Sequence, residues 1–198
     1  TNPCDHEVQA KLIQDFQTQG LHVAVGLEMI PADMQPVLDR FNSGDISLGE
    51  LENALDWRRI WGHDFALYDP VLAAVEQSVY SLFGLNVKKG LLESLRDKGR
   101  SGLSQEERES MPEQVIPVPP EQKEFLLEQF EEHKTFMDDK EGQADQDRFF
   151  LVQALWDTQM AVQARKVRRQ TGLPVVILCG TGHAEYGWGI PHRLSILD

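Results

Sequence analysis

Positive charge is scarce in this chain: 19 lysines and arginines stand against 32 aspartates and glutamates, a formal net charge of −13 over 198 residues. A nucleic-acid partner requires a basic face that neutralises phosphates, and an anionic lipid surface requires the same, so neither is expected. Long apolar runs are missing as well; no stretch reaches the roughly 20 residues of a membrane-spanning helix. Only two cysteines occur, Cys4 near the start and Cys179 inside an apolar run, and they imply neither a disulfide nor a metal pair. Tyrosine is nearly as rare, limited to Tyr68, Tyr80 and Tyr186. What remains is long enough to bury a sizeable core, and one domain carrying an insertion is the natural size estimate.

The most informative stretch runs from Val175 to His183. Val175, Val176, Ile177 and Leu178 form a short apolar run behind Pro174 and read as a buried strand. The run breaks at Gly180 and Gly182 and delivers His183 just beyond. In open α/β sheets ligands bind at the carboxyl ends of strands, where an imidazole can hold a metal, move a proton or grip an anion. A lone Gly-x-x-His is more often a plain turn with a solvated histidine. A second apolar run, His22 to Met29, carries Glu28 near its end, with Pro31 close behind. Glutamate is rarely buried unless paired, so Glu28 is either a site acid or the partner of a cation such as Arg40. Two strands that each finish in a chemically capable residue favour a site at one edge of a parallel sheet.

Elsewhere helical and strand patterns alternate, as a parallel sheet requires. Val8, Leu12, Ile13 and Phe16 fall on one face of a first helix that Gly20 stops. Met34, Val37, Leu38 and Phe41 repeat the pattern, and Ser47 with Glu50 forms a capping box flanked by Ile46 and Leu51 as a hydrophobic staple. Residues 56–64, with Trp57 and Trp61, read as a loop packed over the sheet edge or a ligand. Tyr68 to Val75 predicts a helix and Leu82 to Val87 a third strand. Because Thr1 opens on what reads as a loop, a first strand is expected ahead of it.

Over residues 90–147 the alternation gives way to a helical insertion, with Ser104 and Glu107 as a second capping box and a proline-rich spacer up to Pro120. An acidic helix follows from Glu121, then a longer one from Asp147 to near Arg169. Leu126, Phe130, His133 and Met137 share a helical stripe, which puts His133 on an apolar face beside Lys134. Such a pair is usually an edge histidine and a solvated lysine. The functional alternative is an apolar platform with two cationic tips, suited to a flat ligand that carries carboxylates. The expected architecture is a three-layer α/β/α fold with a mainly parallel sheet, forming one domain over residues 1–198 with the insertion inside it.

One order of residues runs through nearly the whole chain. It comprises Glu28–Met29, Gln35–Pro36–Val37–Leu38, Asp56–Trp57, Trp61–Gly62, Tyr68–Asp69–Pro70 and Leu85–Asn86. It continues with Gln153, Leu155–Trp156–Asp157, Met160–Ala161, Gly180-x-Gly182–His183 and Gly189–Ile190–Pro191. This order resembles the ChaN family of iron-regulated haem-binding lipoproteins, relatives of the Tiki proteases and, more distantly, of erythromycin esterases. The resemblance implies a first strand ending in a Gly-Glu-x-His type motif before Thr1, with His6 and Gln9 as the remainder of that segment.

For function, the resemblance implies a haem binder of the cell envelope that serves iron acquisition. It would sit on the periplasmic side, held by a lipid anchor outside these residues, as a homodimer with haem between protomers. In that family a tyrosine oxygen takes the iron while a histidine and a lysine hold the propionates, and His133 and Lys134 are the candidates for that pair. The insertion contains Phe125, Phe130 and Phe136, with Phe149 and Phe150 just beyond it, but no tyrosine. The alternative the resemblance offers is a metal-dependent hydrolase like the Tiki relatives, with Glu28 and His183 catalytic and a divalent metal held by His183, Glu28 and His6. A scaffold with a vestigial pocket is the third expectation.

Overall fold

The first of two compact units, Thr1–Asn86 with Gln163–Cys179, is organised by a buried central strand. The computed structural model describes residues 2–76, 81–134 and 143–197, with side chains at all of these except 76, 89, 129–134 and 143–145. Strand β1 (Ala24–Pro31) pairs in parallel with β2 (Ser81–Asn86) on one side and β3 (Val175–Leu178) on the other. The fold is therefore α/β around a parallel sheet, as the alternation of patterns predicts. A parallel strand covered on both faces must be apolar throughout, and every residue of β1 except the half-buried Glu28 is buried. Strand β3 departs from the expectation of a buried strand. It forms an edge of the described sheet, and of its four residues only Leu178 is fully buried.

Helix α1 (Pro3–Thr18) starts at Asn2, whose side chain accepts from the Cys4 amide at 3.1 Å. Its buried line is His6, Ala10 and Ile13, whereas Val8 and Leu12 are 69% and 43% exposed. Ile13 is buried and Phe16 packs on the core as predicted, and the buried line is turned from the predicted face by a little over a quarter of a helical turn. Two stripes compete on this helix, and the small Ala10 side chain suits the one that packs closely on α5 (Asp69–Glu76).

The helices between β1 and β2 follow the sequence signals. Helix α2 (Gln35–Asn42) buries Leu38 and Phe41. Its amides also finish the edge of β2, where backbone groups would otherwise be unpaired. Asn42 Oδ1 accepts from the Leu82 N–H at 2.9 Å, and Gln35 Oε1 accepts from the Gly84 N–H at 3.0 Å. Gly84 is required here because a Cβ would come within 2.5 Å of the Pro31 carbonyl oxygen. Helix α3 (Leu48–Leu55) begins in the predicted capping box of Ser47 and Glu50, with Ile46 and Leu51 buried. Segment 56–64 is not simply a loop, since Trp57–Ile60 forms a short helix α4 that sinks Trp57 into the core.

The second unit comprises Val87–Val162 and Gly180–Asp198. It holds α6 (Lys89–Lys98), α7 (Gln105–Glu109), α8 (Pro120–Lys134), most of α9 (Gln143–Thr171) and α10 (Ile190–Leu197). Ser104 and Glu107 cap α7 as expected. A small core of Val87, Leu91, Leu95, Leu103 and Leu155 packs within this unit.

Candidate functional site

In the first unit the chemistry gathers near the carboxyl end of β1. Asn86, at the end of β2, donates from Nδ2 to the Glu28 carbonyl at 2.8 Å and so fixes this strand end. Tyr68 is 2% exposed and its hydroxyl accepts from Trp61 Nε1 at 2.6 Å. Its ring meets Trp57 edge-on at 5.0 Å and lies 4.4 Å from the His6 imidazole. Burial pushes the Tyr68 phenol above its ordinary range; the Trp61 hydrogen bond offsets part of this, and the Glu28 carboxylate adds to it. Tyr68 is therefore a neutral phenol well beyond physiological pH. His6 Nδ1 lies 3.0 Å from Gln9 Oε1, while its Nε2 is sealed from solvent and has no hydrogen-bond partner among the described residues. Arg40 is exposed on α2 and acts on Glu50.

In the second unit His183 is not a solvated turn histidine. It is buried and part of a polar network that joins three helices of that unit. His183 Nδ1 lies 2.6 Å from Asp157 Oδ1, and Gln153 Nε2 lies 3.3 Å from the same ring nitrogen. Asp157, fully buried on α9, meets Arg193 Nη1 of α10 at 3.5 Å through its Oδ2. Gln122 Nε2 of α8 donates to the same oxygen at 3.4 Å, and Arg193 Nη1 donates to Gln122 Oε1 at 2.8 Å. Burying one unpaired carboxylate costs several kcal/mol, so the cluster stands only because donors surround it. Burial pulls the Arg193 guanidinium below its ordinary range and Asp157 resists that pull. The guanidinium remains charged at any physiological pH.

The segment that carries His183 then makes a tight excursion. Gly189 has φ +63 and lies so close to the His183 backbone that a Cβ there would overlap it. Its carbonyl accepts from Arg193 Nη1 at 3.2 Å. At the tip stands Tyr186, 73% exposed and held at φ 54, a left-handed conformation that a bulky residue rarely adopts. Trp188 lies 4.8 Å from its ring, and Phe125 of α8 lies 6.4 Å from it and 5.8 Å from Trp188. An exposed phenol framed by two further rings offers an oxygen donor and a flat apolar surface together, and this donor set fits haem.

Glu28 and His6 thus belong to the first unit and His183 to the second. Among the described residues no three of His, Cys, Asp or Glu gather closely enough to hold a metal ion. The backbone of His133 and Lys134 continues α8, but their side chains lie outside the described ones, as do those of Phe130 and Met137 and all of Tyr80. Sequence reasoning held Asp157 only as part of the Leu155–Trp156–Asp157 order, with no role, and passed over Arg193. The signal for Asp157 was a carboxylate directly after the apolar Ala154–Leu155–Trp156 and before Met160 and Ala161 on one helix.

Residues 1–194 match the family model described as "Haem-binding uptake, Tiki superfamily, ChaN". The fold is similar to the solved structure titled "Cofacial heme binding to ChaN of Campylobacter jejuni", with a TM-score of 0.69 and 22% identity. That similarity covers 97% of this chain and 71% of the other. No curated protein matches the sequence.

Proposed function

Because the chain belongs to the haem-binding uptake family of ChaN, within the Tiki superfamily, we propose that it binds haem and that Tyr186 offers the iron its axial oxygen. The observation that carries this is the exposure of Tyr186, 73%, between the rings of Trp188 and Phe125. Porphyrin is flat and apolar with carboxylates at one edge, so exposed aromatic rings supply its contact surface. When bound, haem supplies an iron whose ferric state a hard phenolate oxygen stabilises. Tyr68 is the poorer donor, since burial keeps its phenol protonated and Trp61 already occupies its oxygen.

His133 and Lys134 are proposed to hold the propionates. They follow Phe125 on α8 by eight or nine residues, about 12 Å along the helix axis. The family further suggests a homodimer at the cell envelope, anchored by lipid outside these residues and serving iron uptake. The solved relative is titled for cofacial haem binding.

Haemin titration followed by absorbance tests this reading. A Soret shift that saturates is expected, with a phenolate charge-transfer band that Tyr186→Phe removes. Replacing His133 and Lys134 by alanine should weaken binding by about tenfold. No spectral change at stoichiometric haemin would discard the haem reading.

A further inference from the structure

We infer that Asp157 is a positioning residue for Tyr186: its two carboxylate oxygens fasten both ends of the excursion that presents that phenol. This rests on the haem reading and names how its iron-facing residue is held. Oδ1 meets His183 at 2.6 Å, where the excursion begins. Oδ2 meets Arg193 Nη1 at 3.5 Å, and that same nitrogen donates at 3.2 Å to the carbonyl of Gly189, where the excursion ends. Gln122 braces both partners from α8, at 3.4 Å to Asp157 and 2.8 Å to Arg193. The same helix carries Phe125, one of the rings beside Tyr186.

Between these fastenings the backbone is strained. A non-glycine residue at φ 54 persists only where its surroundings over-determine it. Short backbone bonds contribute, from Gly187 to Ala184 at 3.2 Å and from Trp188 to Glu185 at 2.9 Å. They set the turn, but they do not anchor it to the helices. The anchoring groups are all buried: Asp157 and Arg193 completely, Gln122 and His183 nearly so. A rigid buried base under an exposed donor is the arrangement that preorganised binding requires, because the ordering is complete before the ligand arrives.

Asparagine at this position removes the negative charge that faces the buried Arg193 guanidinium, and it keeps an acceptor toward Arg193 only by turning Nδ2 to His183, which forces Nδ1 of that ring to accept. The test compares ferric haemin binding by Asp157→Asn in two backgrounds, the natural protein and Tyr186→Phe. With Tyr186 present, Asp157→Asn is expected to weaken haemin binding about tenfold and to diminish the phenolate band in protein that circular dichroism shows to be folded. In the Tyr186→Phe background the same change should have no further effect on affinity, because the group it positions is gone. Equal losses in both backgrounds, or an unchanged band in folded Asp157→Asn, would overturn the inference while leaving haem binding intact. Should Asp157→Asn fail to fold, Gln122→Met gives the same comparison while sparing the Asp157–His183 contact. Absence of a haemin signal in the natural protein would strike the haem reading instead.

Discussion

Tyr68 and Tyr186 show how differently the two units treat one kind of side chain. Tyr68 is 2% exposed and accepts from Trp61, with its ring beside His6 and Trp57. Tyr186 is 73% exposed, on a strained backbone beside Trp188 and Phe125. The histidines divide in a similar way. His6 is enclosed with one ring nitrogen unpartnered among the described residues, whereas His183 is tied to Asp157 and Gln153. In the first unit Tyr68 and His6 are enclosed among aromatic rings. In the second the polar groups hold a surface feature in place.

Substitutions can break or sharpen this contrast. The largest effect is expected from Asp157→Ala, which strands the buried Arg193 charge and releases His183; a loss of roughly 3–5 kcal/mol should appear in urea denaturation. Tyr68→Phe comes next, since it leaves the Trp61 N–H without its acceptor and should cost about 1–3 kcal/mol. Ser47→Ala removes a helix cap from the first unit and should cost about 1 kcal/mol.

That cap also makes a pH prediction. Hydrogen bonds from Ser47, backbone first and then side chain, hold Glu50 below the usual carboxylate range. A lowered folded-state pKa means stability that is present above the unfolded pKa and lost as pH falls through the folded one. Glu50→Gln should therefore flatten the acid limb of the urea midpoint against pH, and an unchanged limb would contradict the cap's role. The smallest effect on stability belongs to Tyr186→Phe, within about 0.5 kcal/mol. A loss as large as that of Tyr68→Phe would erase the distinction between the two tyrosines.

What the sequence disclosed was what short-range chemistry determines. The β1 run, the capping boxes at Ser47 and Ser104 and the strand before Gly180 all declare themselves through neighbours a few residues apart. The face of α1 did not, because two stripes fit the helical period and only the α5 partner chooses between them. His183 was visible as a residue that could do chemistry, yet its partner Asp157 is 26 residues away, and Arg193 binds Gln122 across 71. No local pattern announces such contacts. Tyr186 stood in the sequence only as one of three tyrosines, and its exposure and its ring neighbours arise only when α8 and the excursion after His183 fold together.

Ferric haemin titrated into the natural protein, Tyr186→Phe and Tyr68→Phe, followed through the Soret and phenolate charge-transfer bands, puts the central claim to its most direct test. The account predicts a saturating shift with the phenolate band in the natural protein and in Tyr68→Phe, and loss of that band in Tyr186→Phe. Retention of the band without the Tyr186 hydroxyl, or its disappearance with that of Tyr68, would contradict it.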